Sequence, residues 1–240
     1  GSLLYTPPLL AQDKSLVWDR FDVDLVINQD GTVNVQEHQT IRFTNGTFSF
    51  GYRDLPVDNL GYIDNWAVTD SSGNLYQLTD GTDEPYTFRV EDNGSHYVIH
   101  WYFPPQENSI ETYTLGYTVH EALRFYDGGD QVWWKAIYGD RGFPVLAGRV
   151  NVTAPPNAKI VEWAAYVNEV DAREGAYAAA TLAEDAHTVT FDLQRRLADK
   201  EEFEVRIQFP HGIIAGAAPV WQQQADEVQA QRDAELAYRE

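Results

Sequence analysis

Two histidines in the sequence have a spacing that could place them on one metal ion. His96 and His100 are four residues apart, and on a helix that spacing would bring both imidazoles to the same face. The segment around them has the composition of a β-strand, however, and four residues of a strand span about 13 Å. Two ligands of one ion cannot lie that far apart, so we predict no metal site here or elsewhere in the chain.

A short acidic turn is the second place where a cation could bind. Asp127 and Asp130 flank a Gly-Gly pair, and carboxylate oxygens in a loop are ligands that calcium prefers. The spacing of an EF-hand loop is absent, and a chain with 37 Asp and Glu residues contains such clusters by chance. We therefore predict a solvated turn, with a divalent cation near Asp127 and Asp130 as the alternative.

The densest aromatic run of the chain lies within 125–138. Adjacent residues of a strand point to opposite faces, so Trp133 and Trp134 cannot both belong to one core layer. One of them, or Tyr126, could therefore stack on a sugar or a peptide. The alternative, which we favour, is a strand that is covered on both sides by the rest of the protein.

The composition excludes several classes of function. Without cysteine, the chain can form no disulfide, thiolate zinc site or cysteine nucleophile. With 17 Lys and Arg against 37 Asp and Glu, the net charge is −20, so we expect no nucleic-acid partner. No glycine-rich phosphate loop is present. Many acids are available, but none can be singled out as a catalytic pair. The sequence thus predicts no catalytic residue and no cofactor.

Apolar and polar residues alternate along most of the chain, which is the pattern of half-buried β-strands. Residues 21–27 and 33–43, joined by a polar turn, form a predicted β-hairpin. The Ala-rich segment 171–184 could be a short helix or a long loop. Besides this hairpin, the predicted strands are 61–69, 86–91, 96–103, 110–120, 130–138, 147–153, 159–167, 187–193 and 202–209.

The composition of the chain changes after 142–144. We therefore predict an all-β protein with two β-sandwich-like (Ig-like) domains, 15–145 and 146–216.

The C-terminal segment differs in kind from the rest of the chain. Residues 221–240 consist mainly of Gln, Glu, Ala and Arg, which favour helices, and Pro219 fits a helix start. Trp221, Ala225 and Val228 make only a short apolar stripe. We predict that 217–240 is a helical stalk that projects from the β-domains and leads towards a membrane segment.

One carboxylate falls on the wrong face of a predicted strand. In 32–43 an unbroken pleat puts Glu37 on the same side as Val33, Val35 and Ile41. A carboxylate buried alone is costly, so it needs a cation nearby. We predict a buried or half-buried structural pair of Glu37 with Arg53. The alternative is a β-bulge that turns Glu37 to solvent.

Several blocks of the sequence, taken in order, resemble a known family. They are Val-Gln-Glu at 35–37, Phe-Gly-Tyr-Arg-Asp-Leu-Pro at 50–56, the strand 113–119, Trp-Lys at 134–135 and Gly-Phe-Pro-Val at 142–145. This order is similar to the extracytoplasmic N-terminal region of the predicted membrane proteins called domain of unknown function 2207 (DUF2207), over about 17–215. The resemblance implies an exported β-rich domain, anchored in the cell envelope by a membrane segment that follows residue 240. It implies no catalytic residues.

These observations lead to one preferred function and two alternatives. We expect a non-catalytic, membrane-tethered extracytoplasmic module that interacts with an unidentified protein or glycan. The first alternative is a carbohydrate- or peptide-binding module that uses exposed aromatics such as Tyr126, Trp133 or Trp134. The second is a hydrolase, which would need two acids that converge in a cleft.

Overall fold

A computed structural model describes residues 13–239, and β-strands account for most of this region. Sixteen strands and one α-helix follow each other along the chain. They are β1 (Ser15–Ile27), β2 (Val33–Asn45), β3 (Phe48–Pro56), β4 (Tyr62–Asp70), β5 (Gln77–Leu78), β6 (Thr87–Asp92), β7 (His96–Gln106), β8 (Ser109–His120), β9 (Leu123–Arg124), β10 (Asp130–Ile137), β11 (Gly148–Thr153), β12 (Glu162–Val167), β13 (Val170–Asp171), β14 (Ala178–Leu182), β15 (Thr188–Leu193), β16 (Phe203–Phe209) and α1 (Gln222–Arg239).

The strands form three sheets. The large sheet has seven strands in the order β14-β15-β11-β1-β2-β8-β4. The five-stranded sheet has the order β13-β12-β16-β10-β9, and the four-stranded sheet has the order β3-β7-β6-β5. Neighbouring strands are antiparallel except for β1 with β11 and β5 with β6. The predicted hairpin is present, since β1 pairs with β2 on either side of a tight turn.

The inner face of the large sheet packs against both smaller sheets and forms one core with them. Alternation of side chains along β2 produces this face, because every second residue from Val33 to Phe43 is buried. Aromatic contacts join the layers. The ring centroids of Phe103 (four-stranded sheet) and Tyr113 (large sheet) are 4.7 Å apart, and those of Trp134 (five-stranded sheet) and Tyr117 (large sheet) are 6.3 Å apart.

The sheets do not divide at residue 146. In the large sheet, β1 pairs with β11, with Val23 beside Val150. In the five-stranded sheet, β10 pairs with β16, with Val132 beside Ile207. Strands from both sides of 146 therefore share two sheets, so the prediction of two separate Ig-like sandwiches, 15–145 and 146–216, is not confirmed. The coarser prediction, a mostly β protein with a C-terminal helix, is confirmed.

The segment 171–184 is neither of the two structures that were expected. It contains a single 3₁₀ turn at Glu174–Ala176 and the strand β14, which pairs with β15 at the edge of the large sheet. Alanine favours helices in isolation. Here the pairing with β15 overrides that preference, because Ala178 to Leu182 lie opposite Leu193 to Val189.

Among the strand edges that have no neighbour along much of their length are those of β10 and β3. Strand β10 pairs with β16 on one side, whereas on the other side β9 pairs only with Gln131 and Val132. Strand β3 is the first strand of the four-stranded sheet and pairs only with β7. Within residues 13–239, the second side of 133–137 and the outer side of β3 are therefore free edges.

Candidate functional site

A cavity of the described region lies between these two free edges and helix α1. It has a volume of about 750 Å³ and is lined by 53–60, by residues of β10 and by one side of α1. We call it the α1 groove. A smaller cavity of about 240 Å³ shares Trp133, Glu204 and Arg232 with it and continues along the helix. The volume of the α1 groove is within the range of ligand-binding sites.

Helix α1 forms one wall of the α1 groove because its first turns are tied to the β9–β10 connection. The side chain of Gln222 is buried; its Oε1 accepts from the Phe125 backbone N–H at 2.8 Å, and its Nε2 donates to the Phe125 carbonyl at 2.9 Å. The Tyr126 hydroxyl donates to Asp226 Oδ1 at 2.6 Å. The predicted helix is thus present, but its first half docks on the β-sheets instead of projecting from them.

We expect Gln222→Leu to release helix α1. The substitution leaves the Phe125 N–H and carbonyl without partners, which costs about 1–3 kcal/mol for each group that stays buried. The helix has too little apolar surface to remain docked against that cost. Protease cleavage within 222–239 should therefore become at least about tenfold faster, which corresponds to about 1.4 kcal/mol. The matched control is Gln223→Leu, since Gln223 is exposed. Equal cleavage rates in the two variants would contradict the docking role of Gln222.

Trp133 is held inside a cluster of stacked side chains. Its ring is parallel to that of Tyr166, with centroids 5.6 Å apart. The guanidinium carbons of Arg124 and Arg206 lie 4.8 Å and 5.5 Å from the ring centroid of Trp133. Its indole Nε1–H donates to Gln131 Oε1 at 2.7 Å. Trp133 is therefore half-buried and engaged within the protein, and cation–π contacts fix the wall of the α1 groove at this point.

Trp134 and Asp54 each bring an unsatisfied polar atom to the α1 groove. Trp134 is only 9% exposed, it lines the groove, and its indole Nε1–H has no hydrogen-bond partner within 13–239. Asp54 Oδ1 is also buried without a hydrogen-bond partner in that range; the imidazole Nε2 of His96 lies 3.8 Å from it. Buried polar groups are normally satisfied, so an unpartnered donor and an unpartnered acceptor on two residues that line one cavity make it a candidate site for a ligand or for water.

Glu204 is an acid of the α1 groove whose pKa is changed by burial. It lies on β16 and lines both cavities. Burial raises the pKa of Glu204, and Lys135 opposes that shift. Lys135 itself is 3.3 Å from Glu202 Oε1. A carboxyl group with a raised pKa in a cleft is typical of functional sites, but one such group does not specify a reaction.

Glu37 and Arg53 lie together beneath the α1 groove. Arg53 Nε is 3.1 Å from Glu37 Oε1, and both side chains are almost completely buried. The Tyr117 hydroxyl donates to Glu37 Oε2, and Gln39 Nε2 donates to Oε1 at 3.2 Å. Coulombic attraction to Glu37 helps to raise the pKa of Arg53 against the effect of burial. The pairing of β2 with β1 shows no irregularity near Glu37, so the alternative β-bulge is absent.

The acidic turn was predicted to be solvated, and this holds for only one of its two acids. Asp127 is exposed, whereas Asp130 is fully buried, because it begins β10. Asp130 Oδ1 lies 2.7 Å from His211 Nδ1 and accepts from the Tyr126 N–H at 3.3 Å. Within 13–239, no three His, Asp or Glu side chains are placed to hold one metal ion. His96 and His100 lie on one strand, β7, as predicted.

The His211–Asp130 pair should make stability depend on pH. The hydrogen bond to Asp130 raises the pKa of His211, so the pair stabilises the fold below the unfolded pKa of about 6.5. That contribution is lost as the pH rises through the raised pKa. We expect His211→Gln to lower the urea midpoint more at about pH 5.5 than at about pH 8.5. A reduction of the same size at both pH values would contradict this.

Of the aromatics predicted to bind a ligand, Trp133 and Trp134 line the α1 groove, and Tyr126 anchors the helix beside it. Glu204 was not predicted, because its alternation with apolar residues in β16 resembles an ordinary solvent-facing position. Phe50 and Tyr52, which are 54% and 46% exposed on a face of the four-stranded sheet beside Tyr102 and His100, were not predicted either. No signal in the sequence separates these positions from other strand residues, because only the docked helix and the sheet order define them.

The comparisons with known proteins identify a family but no activity. The profile of a family described as "Predicted membrane protein (DUF2207) N-terminal domain" matches residues 18–230. No curated protein matches the chain in sequence. Within 13–239, no helix combines the length and apolar character needed to cross a membrane.

Solved structures with a similar arrangement of strands are larger proteins. Native yeast LTA4 hydrolase is 8% identical, with a TM-score of 0.48 over 80% of this chain and 29% of the other. An M1 zinc metallopeptidase from Deinococcus radiodurans is 13% identical, with a TM-score of 0.42 over 79% of this chain and 42% of the other. The chain thus spans less than half the length of these proteins. Because both TM-scores are below 0.5, these similarities support no assignment of activity.

Proposed function

Because the chain belongs to the DUF2207 family of predicted membrane proteins, we propose that it is a non-catalytic extracytoplasmic module that is tethered to a membrane and binds a partner in the α1 groove. The observation that carries the proposal is a cavity of about 750 Å³ lined by Trp134, whose buried Nε1–H has no hydrogen-bond partner within 13–239. A ligand atom that accepts this hydrogen bond would remove the cost of burying the donor alone.

The composition of the α1 groove supports binding more than catalysis. The groove combines aromatic surface from Trp134, Tyr138 and Trp221 with a few polar groups, as binding pockets do. Its lining residues include no serine, threonine or cysteine that could act as a nucleophile, and its histidine, His96, lies 3.8 Å from Asp54. Helix α1, the wall of the groove, is also the last element of the described chain, so a bound partner would contact the segment that leads to the C-terminus.

The proposal can be tested with the seven tryptophans of the chain. We expect 5-fluorotryptophan resonances of Trp134 and Trp221, which line the α1 groove, to shift when a random octapeptide mixture is added. Resonances of Trp18 and Trp101, which are buried elsewhere, should not shift. Trp134→Phe should weaken binding about fivefold, because one hydrogen bond contributes about 1 kcal/mol.

A second titration, with a mixture of oligosaccharides, separates the two kinds of partner. Shifts of the groove tryptophans with sugars alone would support the groove as the binding site and identify its partner as a glycan. If neither mixture shifts Trp134 or Trp221, the α1 groove is not a binding site and the proposal is wrong.

A further inference from the structure

We propose that the partner in the α1 groove is an extended peptide segment rich in Lys or Arg, which adds as a strand to the free edge of β10. This inference rests on the proposed binding function of the groove and specifies its ligand. It depends on three features of the described region: the free strand edges, the unsatisfied side-chain atoms and the distribution of charge.

The free edge of β10 is the first of these features. In an antiparallel pair, successive residues direct their N–H and C=O groups alternately to the two sides of the strand. Beyond Val132, β10 has a neighbour only on the β16 side. Two or three of the five residues in 133–137 should therefore direct backbone groups to the side that lacks a strand. Such an edge is a template for an incoming strand.

The opposite wall of the α1 groove is also made of extended backbone. Consecutive residues from Arg53 to Pro56 line the groove, and these residues form the end of β3, whose outer side is unpaired within 13–239. A cavity between two strand edges suits an extended chain better than a helix or a compact domain. Trp134 and Asp54 line this groove, and their unpartnered Nε1–H and Oδ1 match in kind the carbonyl and N–H groups that such a chain carries.

The charges in the α1 groove indicate the character of the peptide. Three of the four Lys and Arg residues that line it are in ion pairs: Arg53 with Glu37 at 3.1 Å, Lys135 with Glu202 at 3.3 Å, and Arg232 with Glu169 at 2.9 Å. The fourth, Arg124, is buried and its guanidinium lies 4.8 Å from the ring centroid of Trp133. Asp58 and Asp140, by contrast, form no hydrogen bond or ion pair through their side chains in the described part of the chain.

Negative charge therefore remains unbalanced at the rim of the groove. The net charge of −20 adds a field that attracts cations from a distance. An acidic peptide would meet repulsion from both sources, so complementary charge selects Lys and Arg. Side chains of an added strand alternate between its two faces. Lys or Arg at every second position would therefore lie on one face, where they could contact the acids at the rim.

The test uses an acetylated octapeptide, Thr-Lys-Val-Lys-Val-Lys-Val-Thr, and the same peptide with Glu in place of Lys. We expect the basic peptide to bind and the acidic peptide to bind at least tenfold more weakly. Asp58→Asn combined with Asp140→Asn should weaken the basic peptide about fivefold, and since both side chains are exposed the fold should be unaffected.

Hydrogen exchange and N-methylation then test strand addition itself. The bound basic peptide should slow amide exchange in 133–137 more than tenfold, and leave β14, an edge strand of the large sheet, unchanged. Methylating the backbone nitrogens of either the odd or the even residues removes the donors on one side of the peptide. At least one of these two peptides should lose binding more than tenfold.

Each contrary result overturns a definite part of the argument. Binding without protection of 133–137, or with both methylated peptides unaffected, would overturn strand addition while the groove remains a binding site. Equal binding of the acidic peptide would overturn the preference for cations. A response of Trp134 and Trp221 to oligosaccharides but to neither octapeptide would overturn this inference and leave the proposed function standing.

Discussion

Replacing Arg53 with Met is expected to lower the free energy of unfolding by about 3–5 kcal/mol, because it leaves the Glu37 carboxylate buried without its cation. Both side chains are almost completely buried, so water cannot take the place of the guanidinium. The remaining donors, Tyr117 and Gln39, satisfy hydrogen bonds of Glu37 but supply no positive charge. Urea denaturation of the variant measures the loss directly.

Two matched variants separate the buried charge from other effects of the substitution. Glu37→Gln in the Arg53→Met background removes the uncompensated charge and keeps an acceptor for Tyr117, so it should restore more than half of the lost stability. Arg42→Met breaks the exposed pair with Asp19, at 2.9 Å, and should change stability by no more than about 1 kcal/mol. Equal losses in Arg53→Met and Arg42→Met would show that burial does not control the energy of the Glu37–Arg53 pair.

Separate fragments 13–146 and 147–239 should each fail to fold. The first fragment lacks β11 and β16, the partners of β1 and β10, and the second lacks β1 and β10. Each would leave the apolar face of a sheet open to water. We expect both fragments to show no cooperative thermal transition, and an equimolar mixture of them to recover one.

The intact chain, purified in the same way, is the control for this experiment. A fragment that unfolds cooperatively by itself would show that the division at 146 marks an independent folding unit after all. That result would restore the two-domain interpretation in spite of the shared sheets.

Much of the fold could be predicted from local patterns. Strict alternation in β2 identified the buried face, and the position of Glu37 on that face led to Arg53, since an isolated buried carboxylate requires a cation. The polar, helix-favouring composition after Pro219 predicted α1. These features depend on the residue pattern or composition of a single segment, or on the cost of burying one carboxylate. Both can be assessed from the sequence alone.

The α1 groove could not be predicted, because it depends on contacts between distant segments. Nothing local indicates that Gln222 bonds the backbone of Phe125, 97 residues away. The burial of Asp130 was missed for a similar reason, since its partner His211 lies 81 residues further along the chain. Strand β14 was missed because its alanines favour a helix until β15 provides a neighbour.

The parallel pairing of β1 with β11 affects the order in which the protein can assemble during synthesis. Asp22 and Arg149 lie on the paired segments and are 127 residues apart in the chain. The β1–β2 hairpin can therefore form early, yet one edge of β1 has no partner until the ribosome has added more than 120 further residues. A nascent strand of this kind is exposed to wrong pairing for as long as it waits. Closure of this long loop, rather than formation of the hairpin, should set the rate at which the native sheet appears.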